Sequence, residues 1–250
     1  MTILASTANE LAESGFVPDR LIRSGIRRLC ATRRDEISGQ NGKELNEFVE
    51  MMKSSPVALV PDLANEQHYE VPAAFFDQVL GVHRKYSCCY WGGGVTNLDE
   101  AEQASLEMTC QRAKIRDGMK VLDLGCGWGS LSLWIASHYP NCAVTSVSNS
   151  ASQRKFILGE AASLGLTNLN VITADMNDFS IDQRFDRVVS IEMFEHMRNY
   201  SELFERISGW LNDDGLFFMH IFCHKSAAYE YEDRGPSDWM SRHFFSGGIM

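Results

Sequence analysis

The sequence predicts an α/β fold with a doubly wound, Rossmann-like parallel sheet and an N-terminal helical extension. Three observations support this prediction. After Gly118, short apolar segments alternate with amphipathic helical patterns, which is typical of βαβ units. The first apolar segment runs directly into the glycine-rich loop GCGWG at residues 125–129, and a helical pattern follows at once. Before residue 98 the pattern is helical or aromatic-rich.

The elements follow in order along the chain. Two helices are expected at 18–34 and 43–52, and a third at 98–113. Strands are expected at 120–125, 142–148, 170–175, 185–193 and 215–223, separated by helices at 130–139, 151–165 and 200–211. We therefore divide the chain into an N-terminal helical cap, residues 1–97, that would cover the ligands, and a binding core, residues 98–250.

Composition narrows the functional classes. The 250 residues are 44% hydrophobic and 22% charged, as in ordinary globular domains, with a net charge of −10. Residues 1–60 hold eight charges of each sign, so residues 61–250 hold the other 15 basic and 25 acidic side chains. This acidic excess disfavours nucleic-acid partners, because binding to phosphates needs a basic surface. The seven cysteines form no CxxC pair, so we expect reduced thiols in a cytoplasmic protein and no metal site.

The helix at 18–34 is basic and amphipathic. One face carries Ile22, Ile26, Leu29 and Cys30, and arginines surround the rest. Such a helix either docks on its own domain with the arginines in solvent or makes a weak contact with an anionic membrane surface. We favour docking and keep membrane contact through residues 20–34 as the alternative.

The glycine loop after the first strand predicts a nucleotide site. Glycine lets the backbone approach a ligand, and the start of the next helix offers free N–H groups. A dinucleotide favours GxGxxG and an acidic end to the second strand. Here the loop is GxGxG, preceded by Asp123, and the second strand ends at the neutral Asn149, with Gln153 close behind.

Two carboxylates indicate which adenosine ligand to expect. Asp123 is poorly placed for a pyrophosphate and well placed for a cationic or amino-bearing ligand, while Asp175, after the third strand, can accept a hydrogen bond from an adenine amino group. The amides of Asn149 or Gln153 would bind the ribose. These features favour S-adenosylmethionine over NAD, and a tight turn without a ligand is the alternative.

Several ordered motifs resemble one known family. They are HYEVPAAFF, YSCCYW, VLDLGCGWGSLSLWIA, SVSNSASQ, IEMFEHM, FMHIFCHK, FCHKSAAYEYED, DWMSRHFF and SGG. Together they resemble the cyclopropane-fatty-acid synthase superfamily, and more closely its coclaurine N-methyltransferase-like branch, from about residue 18 to residue 250. The resemblance implies a class I methyltransferase sheet in which five strands are visible and the last two are missing. We therefore expect the core to be C-terminally incomplete, which puts the turnover of this chain in doubt.

The residues and the resemblance together imply a binding site for S-adenosylmethionine. A segment before the core would close over the cofactor, the glycine loop would hold its methionine part, neutral amides would bind its ribose, and the end of the third strand would frame its adenine. The predicted residues are Tyr86, Ser87, Asp123, Gly125, Gly127, Asn149, Gln153, Asp175, Met176 and Ile191.

Glu195 and His196, just beyond the fourth strand, are the expected catalytic pair for methylation of a small amine. Open α/β sheets place ligands at this edge, and the resemblance assigns the pair this role. An alkylamine, with a pKa of ~10, must lose a proton before it reacts, and a carboxylate with an imidazole would attract the ammonium and relay that proton. The alternative is a surface helix start in which Glu192 and His196 form an i,i+4 pair.

Cyclopropanation of unsaturated phospholipid chains is the alternative reaction. Relatives that catalyse it hold a bicarbonate ion as base, with groups that match Cys88, Glu195 and His220 in this chain. Taken singly, Cys88 is as readily a buried thiol, and His220 a strand histidine bonded internally. A cofactor-binding protein without turnover is the third hypothesis.

Aromatic residues are clustered before the glycine loop. Such a cluster can form an apolar or cation–π wall for a substrate amine. Clustered aromatics usually belong to the core, so we expect more than half of these to be core residues. The cluster comprises Tyr69, Phe75, Phe76, Tyr90 and Trp91.

Overall fold

The computed structural model describes residues 10–39, 42–60, 72–235 and 238–250. Its centre is a five-stranded parallel sheet in the order β3-β2-β1-β4-β5. The strands are β1 (Lys120–Leu124), β2 (Ala143–Ser148), β3 (Leu169–Thr173), β4 (Phe185–Ile191) and β5 (Leu211–His220). The predicted α/β class and the five parallel strands are confirmed.

Helices precede the sheet and cover both of its faces. They are α1 (Asp19–Ile37), α2 (Gly42–Ser54), α3 (Ala73–Val79), α4 (Leu98–Arg112), α5 (Ser130–His138), α6 (Ala151–Ser163), α7 (Tyr200–Trp210) and α8 (Trp239–His243). A single 3₁₀ turn, Phe194–His196, follows β4. The sequence pattern predicts neither α3 nor α8, because helices of seven and five residues are too short to show a helical period.

The last strand differs from its predicted bounds. It begins at Leu211, opposite Phe185 of β4, and the pairing then shifts register before the ladder resumes at Leu216. The intervening polar residues resemble a turn in the sequence, which is why we predicted a later start. The strand ends at His220 and not at Cys223.

Two hydrophobic clusters hold the sheet between its helices. On one face Leu122 of β1 packs in a cluster with Leu203 of α7. On the other face Val121 packs in a cluster with Ile135 of α5. Because both faces of the sheet are covered, the central strand β1 is buried from Val121 to Leu124. This packing fixes the carboxyl ends of the strands, where the polar residues of the candidate site lie.

The segment before α4 is attached to the core through a buried carboxylate. Glu102 of α4 is fully buried and accepts backbone hydrogen bonds from Gly81 at 2.9 Å, His83 at 2.8 Å and Lys85 at 3.1 Å. Each of these bonds has a charged acceptor and is stronger than a neutral one. The boundary we placed at residue 97 stays a prediction.

Helix α1 projects a largely solvent-exposed surface. None of its residues is buried, and Leu21, Ile26 and Leu29 are at least half exposed. The guanidinium group of Arg33, on this helix, lies 4.9 Å from the centre of the Tyr229 ring. The apolar face is therefore not buried against the residues that the structure describes, although we expected it to be. Membrane contact through this helix stays a prediction. No described helix is long and apolar enough to cross a bilayer.

Candidate functional site

The candidate site lies at the carboxyl ends of β1 and β4, which are neighbours in the middle of the sheet. From β1 the chain proceeds to β2 and β3 on one side, and from β4 to β5 on the other. Open α/β sheets bind ligands in the crevice at such a switch point. Gly125 follows β1 and Glu192 follows β4, so loop and carboxylate face the same crevice.

The glycine loop has a backbone that other residues rarely adopt. Gly125 has a φ of 77° and Gly127 a φ of 53°, both in the left-handed region that favours glycine. A Cβ on Gly125 would lie 2.8 Å from the Cβ of Met193, whereas one on Gly127 would meet no atom within 4 Å. Gly125 therefore permits close packing against Met193, just after β4, and Gly127 borders open space that a ligand can enter.

Two adjoining cavities share Gly125, Gly127 and His196. We call them the inner half, beside β1 and β4, and the outer half, beside β2 and β3. The inner half is lined by Tyr86, Ser87, Asp123 and Ile191. The outer half is lined by Asn149, Gln153, Asp175 and Met176. The structure thus brings together all ten residues that we predicted to bind the cofactor.

Asp123 is the buried carboxylate of the inner half. Its Oδ2 accepts a hydrogen bond from Ser132 Oγ at 2.5 Å, and Ser132 in turn accepts one from Ser146 Oγ at 2.7 Å. Burial raises the pKa of Asp123 to about 6, against the opposing effect of the Ser132 hydrogen bond. A cationic group entering the inner half would favour the ionised carboxylate.

Among the described residues, three of the buried donors that have no hydrogen-bond partner line the two halves of the cavity. They are Trp128 Nε1, Ser130 Oγ and Gln153 Nε2. The Oε1 of Gln153 already accepts a hydrogen bond from Ser148 Oγ at 2.6 Å, so its Nε2 is left to donate into the outer half. Unmatched buried donors cost free energy. A carboxylate beside α5 and ribose hydroxyls beside Gln153 would satisfy them, so these residues fit S-adenosylmethionine.

The 3₁₀ turn after β4 sends its two polar side chains to different places. His196 lines both halves of the cavity and lies 4.7 Å from the ring of Phe245, between centroids. Glu195 is fully buried and lines neither half; its Oε1 accepts the Phe222 N–H at 2.7 Å, and its Oε2 accepts no hydrogen bond within the described residues. Burial raises the pKa of Glu195 to about 7.

Cys88, Glu192 and His220 form a separate cluster beside the inner half. The Cys88 thiol donates a hydrogen bond to Glu192 Oε1 at 2.8 Å and lies 3.8 Å from His220 Nε2. Burial and the Glu192 carboxylate raise the pKa of the Cys88 thiol to about 11. Burial also lowers the pKa of His220, which favours the neutral imidazole. We expected Glu195 with Cys88 and His220, but the structure places Glu192 there.

Glu192 and Lys85 are two charged residues of the site that the sequence did not lead us to expect. From the sequence we considered Glu192 only as a possible surface partner of His196, yet it is the first residue after β4, the position at which open sheets place functional groups. The buried Lys85 donates from Nζ to Ser87 Oγ and to the Cys88 carbonyl, both at 2.6 Å. The sequence indicated a role for Lys85 only through its position directly before Tyr86, which we expected to bind the cofactor. Burial lowers the pKa of Lys85.

Most of the predicted aromatic wall is not core. Phe76 is buried, with ring centroids 5.2 Å from Tyr86 and 5.0 Å from Trp128. The other described members are more than half exposed: Phe75, Tyr90 and Trp91. Tyr69 lies outside the described residues. The expectation that more than half are core is therefore wrong. Helix α3 buries Phe76 and leaves Phe75 exposed, and Tyr90 and Trp91 lie in the irregular segment before α4. Other aromatic side chains line the inner half instead: Tyr86, Trp128, Phe222, Phe244 and Phe245.

Comparison with known proteins agrees with this geometry. Residues 61–250 match the family described as mycolic acid cyclopropane synthetase. The chain is 40% identical over 246 residues to (S)-coclaurine N-methyltransferase of Thalictrum flavum subsp. glaucum. This match covers 95% of this chain and 67% of that protein. It is 34% identical over 190 residues to cyclopropane-fatty-acyl-phospholipid synthase of Escherichia coli K12, covering 75% and 47%.

A solved structure extends the likeness to three dimensions. The crystal structure of coclaurine N-methyltransferase bound to N-methylheliamine and S-adenosylhomocysteine (SAH) superposes with a TM-score of 0.91 at 38% identity, covering 96% of this chain and 71% of that one. This likeness agrees with the resemblance found in the sequence. The chain therefore belongs to the mycolic acid cyclopropane synthetase family of S-adenosylmethionine-dependent methyltransferases.

Proposed function

We propose that this chain transfers a methyl group from S-adenosylmethionine to the nitrogen of a small amine. The observation that carries the proposal is the placement of Glu192 and His196 on one cavity with the glycine loop. A carboxylate there attracts an ammonium group, and an imidazole can accept the proton that the nitrogen must lose. The relatives named for N-methylation support the same choice.

Different residues of the chain would bind the cofactor and accept the proton of the amine. Asp123, Gln153 and the loop glycines would hold and orient the cofactor, which would supply a methyl group on a positively charged sulfur for displacement by the amine nitrogen. Positioning provides much of the rate of such a reaction. His196, at the junction of the two halves, is where we propose that the amine proton is taken up.

Glu195 acts less directly in this proposal than we expected from the sequence. Its carboxylate is closed off from the cavity and bonded to the backbone of Phe222. We propose that it stabilises His196 and the end of β5 and that it holds or releases a proton within the protein. Direct contact with the amine belongs instead to Glu192, which lines the inner half.

Cyclopropanation is the second candidate, and one observation bears on it. Cys88 and His220 lie together, as an anion site needs, but Glu192 is hydrogen-bonded to Cys88 at 2.8 Å and would repel bicarbonate. The cluster therefore suits a cation better than an anion. The lipid reaction remains the competing hypothesis because the chain is similar to cyclopropane-fatty-acyl-phospholipid synthase of Escherichia coli.

Calorimetric titration separates the two candidates. SAH is titrated first, and the saturated protein then receives either a panel of primary to tertiary amines or bicarbonate. We expect SAH to bind, at least one amine to bind to the complex, and bicarbonate to give no heat. Binding of bicarbonate with no response to any amine would favour the lipid reaction, and failure of SAH to bind would overturn the proposal.

We also propose a cytoplasmic location. All seven cysteines are free thiols, which is typical of a reducing compartment. Fractionation of cells that express the chain tests this point, and recovery from an oxidising compartment would contradict it.

A further inference from the structure

The Cys88–Glu192–His220 cluster combines three ligand types that zinc prefers. A thiol sulfur, a carboxylate oxygen and an imidazole nitrogen lie within 4.8 Å of one another. They come from three separate parts of the fold: the segment before α4, the end of β4 and the end of β5. Sequence spacing gave no indication of a metal site, because Cys88 is 104 residues from Glu192 and 132 from His220.

The backbone holds the cluster in place. Glu192 has a φ of 53°, a strained conformation for a residue with a side chain, and its N–H donates to the carbonyl of His220 at 2.8 Å. Its Oε1 also accepts the Cys88 N–H at 3.1 Å. The three ligand groups are therefore positioned together before any ion arrives, which lowers the entropic cost of binding one.

The distances are close to those that a tetrahedral ion requires. Zinc–sulfur bonds of about 2.3 Å and zinc–nitrogen or zinc–oxygen bonds of about 2.0–2.2 Å place tetrahedral ligand atoms about 3.3–3.6 Å apart. The observed separations are 3.8 Å from Cys88 Sγ to His220 Nε2 and 2.8 Å from Sγ to Glu192 Oε1. Side-chain shifts below about 1 Å would bring both pairs to the required values.

We propose that Cys88, Glu192 and His220 bind a divalent zinc-like ion, which blocks access of the amine to Glu192. On binding, the Sγ–H bond breaks, the proton passes to the buffer, a sulfur–metal bond forms, and nothing is oxidised or reduced. Thiolate and carboxylate together balance the charge of a divalent ion, and three protein ligands leave one position for water. The nearby Lys85 ammonium opposes the ion and limits its affinity.

Cobalt(II) is the probe for the site, because a cobalt–thiolate bond gives a charge-transfer band and tetrahedral cobalt gives intense visible bands. We expect both in the full chain, and we expect zinc to remove them. Cys88→Ser keeps a hydroxyl to bond Glu192 and should abolish the charge-transfer band. His220→Ala should weaken cobalt binding by more than about 10-fold, the loss typical of removing even an outer-shell partner. Retained SAH binding shows that each variant is folded.

Cys30→Ala is the matched control, since Cys30 is an exposed thiol on α1 with no assigned role. It should bind cobalt as the unsubstituted chain does. An unchanged charge-transfer band in Cys88→Ser, or a weak octahedral spectrum in the unsubstituted chain, would overturn the metal site. The blocking effect rests on the proposed function: zinc should raise the KM for the amine and leave SAH binding unchanged. Cobalt binding without that competition would overturn the blocking role alone.

Discussion

The thiol of Cys88 and the carboxylate of Glu192 are hydrogen-bonded at 2.8 Å, although 104 residues separate them in the chain. The Cys88 N–H donates to the same carboxylate oxygen at 3.1 Å. The contact connects the segment that carries Tyr86 and Ser87 to the end of β4. One carboxylate therefore links closure over the cofactor to the place where we propose that the amine binds.

Glu192→Gln should weaken amine binding selectively. Glutamine keeps an oxygen that can accept the Cys88 N–H, so the local fold should survive, but the negative charge that attracts an ammonium is lost. Because a hydrogen bond to a charged group contributes about 1.5–3 kcal/mol, we expect the KM for the amine to rise by about 10- to 100-fold. Steady-state kinetics measure this, with the Kd for SAH as the internal control. An unchanged KM would remove Glu192 from the substrate site.

Cofactor binding should weaken in acid because of Asp123. Burial raises the pKa of its carboxyl to about 6, so the ionised form that attracts an ammonium or sulfonium group is lost as the pH falls below that value. The Kd for S-adenosylmethionine should then rise by about tenfold per pH unit. Calorimetry between pH 5 and pH 8 measures the slope. Asp123→Asn should bind weakly at every pH, and a variant with the original pH dependence would show that another group controls it.

Glu195→Gln should stabilise the protein at neutral and alkaline pH. Burial raises the pKa of Glu195 from 4.5 to about 7, so the native state favours the protonated acid, which glutamine resembles. The native stability linked to this group is fully present below pH 4.5 and is lost as the pH rises through 7. One pKa unit corresponds to about 1.4 kcal/mol, so above pH 7 the free energy of unfolding of the variant should exceed that of the original chain by up to about 3 kcal/mol. Below pH 4.5 the two free energies should be equal.

Urea denaturation at several pH values tests the Glu195 prediction. The matched control is Glu205→Gln, on the exposed face of α7, which should leave the pH dependence unchanged. If the Glu195 and Glu205 variants showed the same pH dependence, burial of Glu195 would not be a source of instability.

Glu102→Gln should loosen residues 81–85, which precede the residues that we expect to close over the cofactor. The buried carboxylate accepts three backbone hydrogen bonds from residues 81–85, and an amide nitrogen in place of one oxygen would face an N–H group. We expect a loss of about 2–4 kcal/mol in the free energy of unfolding and faster hydrogen exchange at residues 81–88. Glu107→Gln, an exposed change on the same helix, is the control. Equal exchange rates in both variants would contradict the prediction.

The sheet, and the position of the expected cofactor residues around adjoining cavities, could be predicted from the sequence because their information is local. Apolar strands alternate with helices, and Asp123, Gly125 and Gly127 follow one strand directly. Most of the expected cofactor residues lie at or just after the end of a strand, and the others belong to a sequence motif. A parallel sheet brings the carboxyl ends of its strands to the same edge. The short helices α3 and α8 had no comparable period.

Side-chain direction could not be predicted in the same way. Glu192 and Glu195 stand three residues apart after the same strand, and only the left-handed backbone at Glu192 and the 3₁₀ turn at Glu195 decide which one reaches the cavity. Similarly, the exposure of Tyr90 and Trp91 depends on an irregular segment whose course is set by distant contacts such as that of Glu102. Residue type alone did not indicate that Glu192 lines the cavity and Glu195 does not, nor that Tyr90 and Trp91 are exposed.

Transfer of an isotope-labelled methyl group tests the central claim most directly. The chain is incubated with S-adenosylmethionine labelled in its methyl group, together with the amine panel and, in parallel, vesicles of unsaturated phospholipid. Mass spectrometry then locates the label. We predict one labelled methyl on the nitrogen of an amine, formation of SAH, and no label in the lipid. Label in the lipid chains alone, or SAH binding without transfer to any amine, would contradict the account.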